Sequence, residues 1–250
     1  MLKVIGHILG NIPFIFWLLA ALRHLRPIRR EMRLCLARGD LAAEREAIVK
    51  AAKSWSLGIC RKLGVALTVE GETVLPDGPV LIVANHESYA DIPIFFSAMP
   101  HKQFGFVAKD NLRKLPFYGK WIAEIHSVFL KRDDARSSLK TMEEAAALMG
   151  RGYSLAVFPE GTRSRGGPMG SFKKGSLRLA TKSGTPIVPV TLKGSYHIFE
   201  ETGFVQRNRA VRFYIHPPIE TANLSKQEAN ALTERVERII GGKLEEWGRS

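Results

Sequence analysis

Apolar and polar positions follow two rhythms along this chain, and the change falls near residue 64. Residues 12–22 read Ile-Pro-Phe-Ile-Phe-Trp-Leu-Leu-Ala-Ala-Leu, and residues 1–11 before them carry only Lys3 and His7 as titratable side chains. Together they approach the roughly 20 apolar residues of a single membrane pass, although Gly6, Gly10, Asn11 and Pro13 interrupt the run. A spanning segment and one lying in the interface are both open. Residues 40–63 predict a helix capped by Asp40, with Leu41, Ile48, Ala52, Trp55, Ile59 and Leu63 spaced by three, four or seven. Lys50, Lys53 and Arg61 lie away from that apolar stripe, Lys62 at its edge, and Arg45 interrupts it. Anionic lipid or a neighbouring protein core would cover it equally well.

From Gly64 onward strand-like and helix-like runs alternate, which predicts an α/β domain with a mainly parallel or mixed sheet between helices. The expected strands are 65–69, 80–84, 104–108, 128–130, 155–158, 187–192 and 211–215; the last two are stopped by Gly194 and by Pro217-Pro218. Val80 to Ala84 is apolar at every position, as a buried central strand must be. Leu139, Met142, Ala146 and Met149 mark the inner face of a helix over 135–149 with Asp134 as its cap. Ser225 and Glu228 form a capping box for a helix running to Trp247.

Composition narrows the possibilities. With 250 residues, 45% hydrophobic and 24% charged, one sizeable domain with a real core is expected, not a disordered chain or a membrane bundle. Two cysteines, Cys35 and Cys60, make neither a disulfide framework nor a zinc site. The net charge of +13 is uneven: residues 1–64 hold 12 basic and 4 acidic side chains. An anionic membrane surface or an acidic carrier protein suits this excess better than nucleic acid, for which no recognition signature accompanies the charge. Arg23, Arg26, Arg29, Arg30 and Arg33 follow the apolar stretch, which places the downstream domain on the cytoplasmic face and argues against a cleaved leader.

Two strand ends carry candidate chemistry. After Val80 to Ala84 comes Asn85-His86-Glu87-Ser88-Tyr89-Ala90-Asp91, at the carboxyl end of a strand, where open α/β sheets bind their ligands. A bond from one imidazole nitrogen of His86 to Asp91 would leave the other to take a proton from an alcohol; the bland alternative is a loop histidine beside a helix-capping aspartate. Leu155 to Phe158 runs into Pro159-Glu160-Gly161-Thr162-Arg163-Ser164-Arg165, a glycine turn holding a carboxylate and two arginines whose planar forks suit phosphate.

Those two blocks strongly resemble the glycerolipid acyltransferases, in particular the 1-acylglycerol-3-phosphate acyltransferases. Gly105-Phe106-Val107-Ala108-Lys109, continuing through Leu112, Pro116 and Gly119, is similar to the family's second motif, and Ile187-Val188-Pro189-Val190 to its fourth, in the family's order. The resemblance covers roughly residues 60–220 and implies a single acyltransferase domain, 65–250, preceded by membrane-associated helices over 1–64 (apolar 1–22, basic amphipathic 40–63). It implies His86 as general base on the acceptor hydroxyl, Asp91 as its partner, Lys109 and Arg163 on the acceptor phosphate, and Glu160, Gly161 and Thr162 in the acceptor site. The expected reaction moves a fatty acyl group from acyl-CoA or an acylated carrier protein to lysophosphatidate, with glycerol 3-phosphate, lyso-ornithine lipid and other lysophospholipids as alternative acceptors, and with no metal or other cofactor. The stretch His126-Ser127-Val128-Phe129-Leu130-Lys131-Arg132 departs from the family pattern, so Arg132 is given no role. Two rivals are a hydrolase with Ser88 as nucleophile, which lacks the Gly-x-Ser-x-Gly elbow, and a non-catalytic lipid-binding module, which has no use for a His-Asp pair.

Overall fold

The computed structural model describes residues 2–72, 75–131, 135–173 and 175–249. In chain order the elements are α1 (Leu2–His24), α2 (Arg26–Ala37), α3 (Leu41–Leu63), β1 (Ala66–Gly71), β2 (Leu81–Ala84), α4 (Asp91–Ala98), β3 (Gly105–Lys109), α5 (Tyr118–Glu124), β4 (Val128–Leu130), α6 (Ala135–Gly150), β5 (Leu155–Val157), α7 (Arg178–Ser183), β6 (Ile187–Lys193), β7 (Ala210–Ile215) and α8 (Lys226–Arg249). Short 3-10 turns cover Asp110–Lys114 and Ser195–Ile198. Every expected strand forms, within a residue or two of its expected ends.

The strands make one mixed sheet in the order β1-β7-β6-β2-β5-β3-β4, parallel throughout except between β6 and β7. Strands β2, β3, β5 and β6 therefore end on one rim. Because β7 runs against β6, the segment joining them also begins and ends there. Alternating side chains of β2 fill two cores. Val80, Ile82 and Ala84 pack with α3, α4 and α5, while Leu81 and Val83 pack with α6, α7 and α8.

Helix α3 begins as expected, Asp40 Oδ1 accepting the Ala43 N–H at 3.0 Å. Its stripe, Ile48, Ala51, Ala52, Trp55, Ile59 and Leu63, is buried in the same core as Ile82 and Phe95. The apolar face that lipid was offered is thus covered by protein, and its cationic side chains project from a packed helix. Leu22, Leu25 and Met32 of the first two helices and their linker join this core. Among the described residues no helix is long and apolar enough to cross a membrane. Helix α1 continues through Pro13, and the amide of Asn11 turns inward: it donates to the Gly203 carbonyl at 2.9 Å and accepts from the Val205 N–H at 2.8 Å. Of the arginines after α1, Arg29 and Arg33 both pair with Glu124 of α5, at 2.5 and 2.9 Å.

Helix α6 corrects one expectation. Met149 is buried and Met142 and Ala146 pack against the core as expected, but Leu139 is exposed, and Thr141 and Ala145 complete the buried line. Thr141 tolerates burial because its hydroxyl donates to the Phe129 carbonyl of β4 or to Ser137 one turn back. The expected cap Asp134, like Arg132, lies outside the described residues. The capping box of α8 forms as expected, Ser225 and Glu228 each accepting the other's N–H.

A buried polar cluster ties α3 to the sheet. Glu44 of α3, 2% exposed, accepts from His126 Nε2 at 2.8 Å and from the Tyr153 hydroxyl. Burial pushes its carboxyl up, but these two bonds outweigh that and hold it below the usual carboxylate range. A lowered carboxyl stabilises the fold above the unfolded value of 4.5 and ceases to do so as pH falls through the folded one. Glu44→Gln is therefore expected to cost about 2–3 kcal/mol in urea unfolding at pH 7, with the gap to the parent narrowing below pH 4.5. Equal stability at pH 7 would mean that the cluster does not anchor α3.

Candidate active site

At the carboxyl end of β2 the Asn85 side chain continues the sheet. Its amide donates to the Leu192 carbonyl at 2.8 Å and accepts the Leu192 N–H at 2.9 Å, so the departing chain stays pinned to β6. His86 follows. Its Nδ1 lies 2.6 Å from Asp91 Oδ2, and Asp91 opens α4 with its side chain wholly buried. The same oxygen accepts the N–H groups of Glu87 and Ser88 at 2.8 and 3.1 Å, while Oδ1 accepts the Ser195 hydroxyl at 2.5 Å. Four donors converge on one carboxylate, an arrangement that suits the acceptor-only ionised form. Nδ1 is then the donor of the pair, and Nε2 is left to accept a proton. The imidazole lies flat on Phe158, with ring centroids 4.1 Å apart and planes 15° apart, so its plane is fixed as well as its tautomer.

The loop after β5 grips this histidine by its backbone. Glu160 is buried; its Oε1 accepts the His86 N–H at 2.7 Å and its Oε2 the Gly170 N–H at 2.7 Å. Burial raises the Glu160 carboxyl, and the two N–H bonds offset part of that rise. The Ser164 N–H donates to the His86 carbonyl at 2.8 Å. Gly161 turns the chain at φ 71°, in the left-handed region that a side chain would strain. Thr162 is exposed beside it. The Arg163 guanidinium is largely buried, 3.5 Å from the centre of the Tyr89 ring, and donates from Nη1 to Glu200 Oε1 at 2.5 Å.

The structure thus brings His86, Asp91, Glu160, Gly161, Thr162 and Arg163 to one place, two loops from adjacent parallel strands held together by buried carboxylates. Lys109 stands exposed at the end of β3, on the same rim and beyond β5. Ser88, the alternative nucleophile, is buried; its hydroxyl donates to Glu200 Oε2 at 2.5 Å and accepts the Ala90 N–H at 3.0 Å. That hydroxyl holds the loop and points away from nucleophilic use. Among the described residues no three His, Cys, Asp or Glu side chains gather as metal ligands.

The sequence reading missed the segment after β6, which supplies Ser195 to Asp91, the Gly194 N–H to Glu87 and Glu200 to Ser88 and Arg163. A serine and a glutamate over a hundred positions from the histidine carry no local signal. Only Gly194 was noticed, as a strand stop. It adopts φ 98°, and a Cβ there would come within 2.6 Å of the Ala210 carbonyl oxygen.

Known proteins are similar to this chain in sequence and in fold. The family model described as Acyltransferase matches residues 66–193. The 1-acyl-sn-glycerol-3-phosphate acyltransferase of Borreliella burgdorferi is 34% identical over 73% of this chain and 73% of its own length. The chloroplastic 1-acyl-sn-glycerol-3-phosphate acyltransferase LPAT1 of Arabidopsis thaliana is 38% identical over 61% of this chain, a match spanning 43% of that longer protein. The crystal structure of PlsC, the 1-acyl-sn-glycerophosphate acyltransferase of Thermotoga maritima, superposes with a TM-score of 0.71 at 29% identity, covering 94% of this chain and 96% of that one.

Glu87 gives the site a pH signature. Burial first, and the charge of Asp91 second, push its carboxyl from 4.5 up to about 7, against the bonds it accepts from Gly194 and Ser195. A raised carboxyl favours the fold fully below its unfolded value, and that advantage is lost as pH rises through the folded one. Between pH 4 and 8, Glu87→Gln should therefore gain roughly 3 kcal/mol of stability relative to the parent, read from urea unfolding at a series of pH values. A constant gap would show that Glu87 does not titrate in this range.

Proposed function

This chain belongs to the acyltransferase family that includes the 1-acyl-sn-glycerol-3-phosphate acyltransferases, and on that footing we propose how its site works. It transfers a fatty acyl group from a thioester to the free hydroxyl of 1-acylglycerol 3-phosphate, making phosphatidate. One observation carries the mechanism: the buried, donor-saturated Asp91 fixes His86 through Nδ1 and leaves Nε2 as the base. Nε2 takes the hydroxyl proton as the acceptor oxygen attacks the thioester carbonyl carbon. The new C–O bond forms, the C–S bond breaks as the tetrahedral intermediate collapses, and the proton passes from Nε2 to the leaving thiolate. Asp91 steadies the imidazolium between the two transfers.

General base catalysis of this kind supplies about 10²–10⁴-fold, so positioning must supply much of the rest. Arg163 and Lys109 hold the acceptor phosphate. Gly161 lets the backbone come close, Thr162 and nearby N–H groups face the developing oxyanion, and Glu160 keeps that loop against His86. Acyl-CoA and an acylated carrier protein both present the required thioester, and the basic surface suits the acidic carrier. At the membrane, exposed Ile15 and Phe16 of α1, with Arg23, Arg26 and Arg30 after them, lie on the anionic cytoplasmic face. The chain then rests in the interface without crossing it.

The test is acyl transfer from labelled acyl-CoA, and in parallel from acylated carrier protein, onto lysophosphatidate in detergent micelles. Wild type should yield phosphatidate, and His86→Ala should fall at least about a hundredfold while remaining folded. Near-normal turnover in the folded variant would sink the dyad. A folded wild type inert with both donors would sink the reaction.

A further inference from the structure

We propose that Glu200 is a positioning residue for acceptor recognition, holding Arg163 in the pose that presents its guanidinium to the acceptor phosphate. The inference rests on the reading of Arg163 as a phosphate ligand.

Glu200 lies just beyond the 3-10 turn Ser195–Ile198, and its side chain is 3% exposed. A carboxylate so removed from water must be matched by donors, and three are present. Oε2 accepts the Ser88 hydroxyl at 2.5 Å; Oε1 accepts the Tyr89 N–H at 3.0 Å and Arg163 Nη1 at 2.5 Å. These donors come from both chemical loops. Ser88 and Tyr89 belong to the loop between His86 and Asp91, and Arg163 to the glycine turn after β5, so Glu200 is a third body that sets one against the other.

The arrangement around Arg163 is specific. One face of the guanidinium covers the Tyr89 ring at 3.5 Å, and one nitrogen is taken by Glu200, its sole ion-pair partner among the described residues. A planar fork has five N–H donors, so a carboxylate on one nitrogen and an aromatic ring on one face fix its orientation without exhausting it. The remaining donors can serve phosphate oxygens. Lysine, a point charge on a flexible stem, could not satisfy Glu200 and a phosphate with the same geometry.

A mere brace for the loops must be told apart from a residue acting through Arg163, and Glu200→Gln separates them. The amide oxygen can still accept the Tyr89 N–H and the amide nitrogen can donate to Ser88 Oγ, but the charge facing Arg163 is gone. The experiment is a double-mutant cycle of Glu200→Gln with Arg163→Lys, reading KM for lysophosphatidate, KM for acyl-CoA and kcat. Alone, Glu200→Gln should raise the acceptor KM about tenfold, with little change in donor KM or kcat. In the Arg163→Lys background the same change should raise it by less than about twofold. Where turnover is too slow to follow, equilibrium binding of radiolabelled lysophosphatidate closes the same cycle. Equal factors in both backgrounds, or a loss confined to kcat, would overturn the proposal and leave Glu200 a brace. A folded wild type that neither binds lysophosphatidate nor makes phosphatidate would instead overturn the underlying reading, and this inference with it.

Discussion

The carboxylate of Asp91 is removed from water, and its four hydrogen bonds organise the rim of the sheet. An isolated ion in that position would be prohibitively costly, so donors have to be brought to it. Two come from the backbone of its own loop, which must coil back over the start of α4. One comes from Ser195, which obliges β6 to end where it does and turn inward at Gly194. The last is the imidazole itself. The tautomer of the imidazole is thus one consequence of satisfying a buried charge, and the same bonds that fold the loop orient the histidine.

Four acidic side chains are gathered here: Asp91, Glu87, Glu160 and Glu200. Each is committed to donors from a neighbouring segment, and between them they join the ends of β2, β5 and β6. The arrangement has a cost. Glu87 and Glu160 are both held above the usual carboxylate range, mainly by burial, so part of the fold's stability is surrendered to keep the rim in register. Such a site is preorganised rather than assembled by its substrate, which suits a reaction whose barrier is lowered chiefly by placement.

Much of the architecture was legible in the sequence because buried parallel strands must be apolar on both faces. Val80 to Ala84 could hardly be anything else, and its neighbours followed from turn residues and caps such as Asp40 and Ser225. The errors have equally physical causes. Leu139 falls on the apolar period of its helix and yet is exposed, while Thr141, which no apolar pattern marks, is buried because its hydroxyl finds a carbonyl. Short helix α5 has too few residues for a period to show. The stripe on α3 was visible, but apolarity alone does not say whether lipid or protein covers it. At the site, both loops and their motif residues were readable, whereas Ser195 reaches Asp91 and Glu200 reaches Ser88 across more than a hundred positions, and both depend on the sheet's topology to arrive.

That topology has a further meaning. A parallel β7 would have required the chain to leave the rim, cross the sheet and return, burying the connection under a helix. By reversing direction instead, β6 and β7 leave the whole segment 194–209 on the rim that carries His86, clasped at Gly203 and Val205 by Asn11. Its first part, Gly194 to Glu200, is tied to Asp91, Glu87 and Arg163, but the part beyond Glu200 can change in composition without disturbing any sheet pairing. Past Glu200 the rim can thus vary its surface while the bonds to the histidine's carboxylate stay in place.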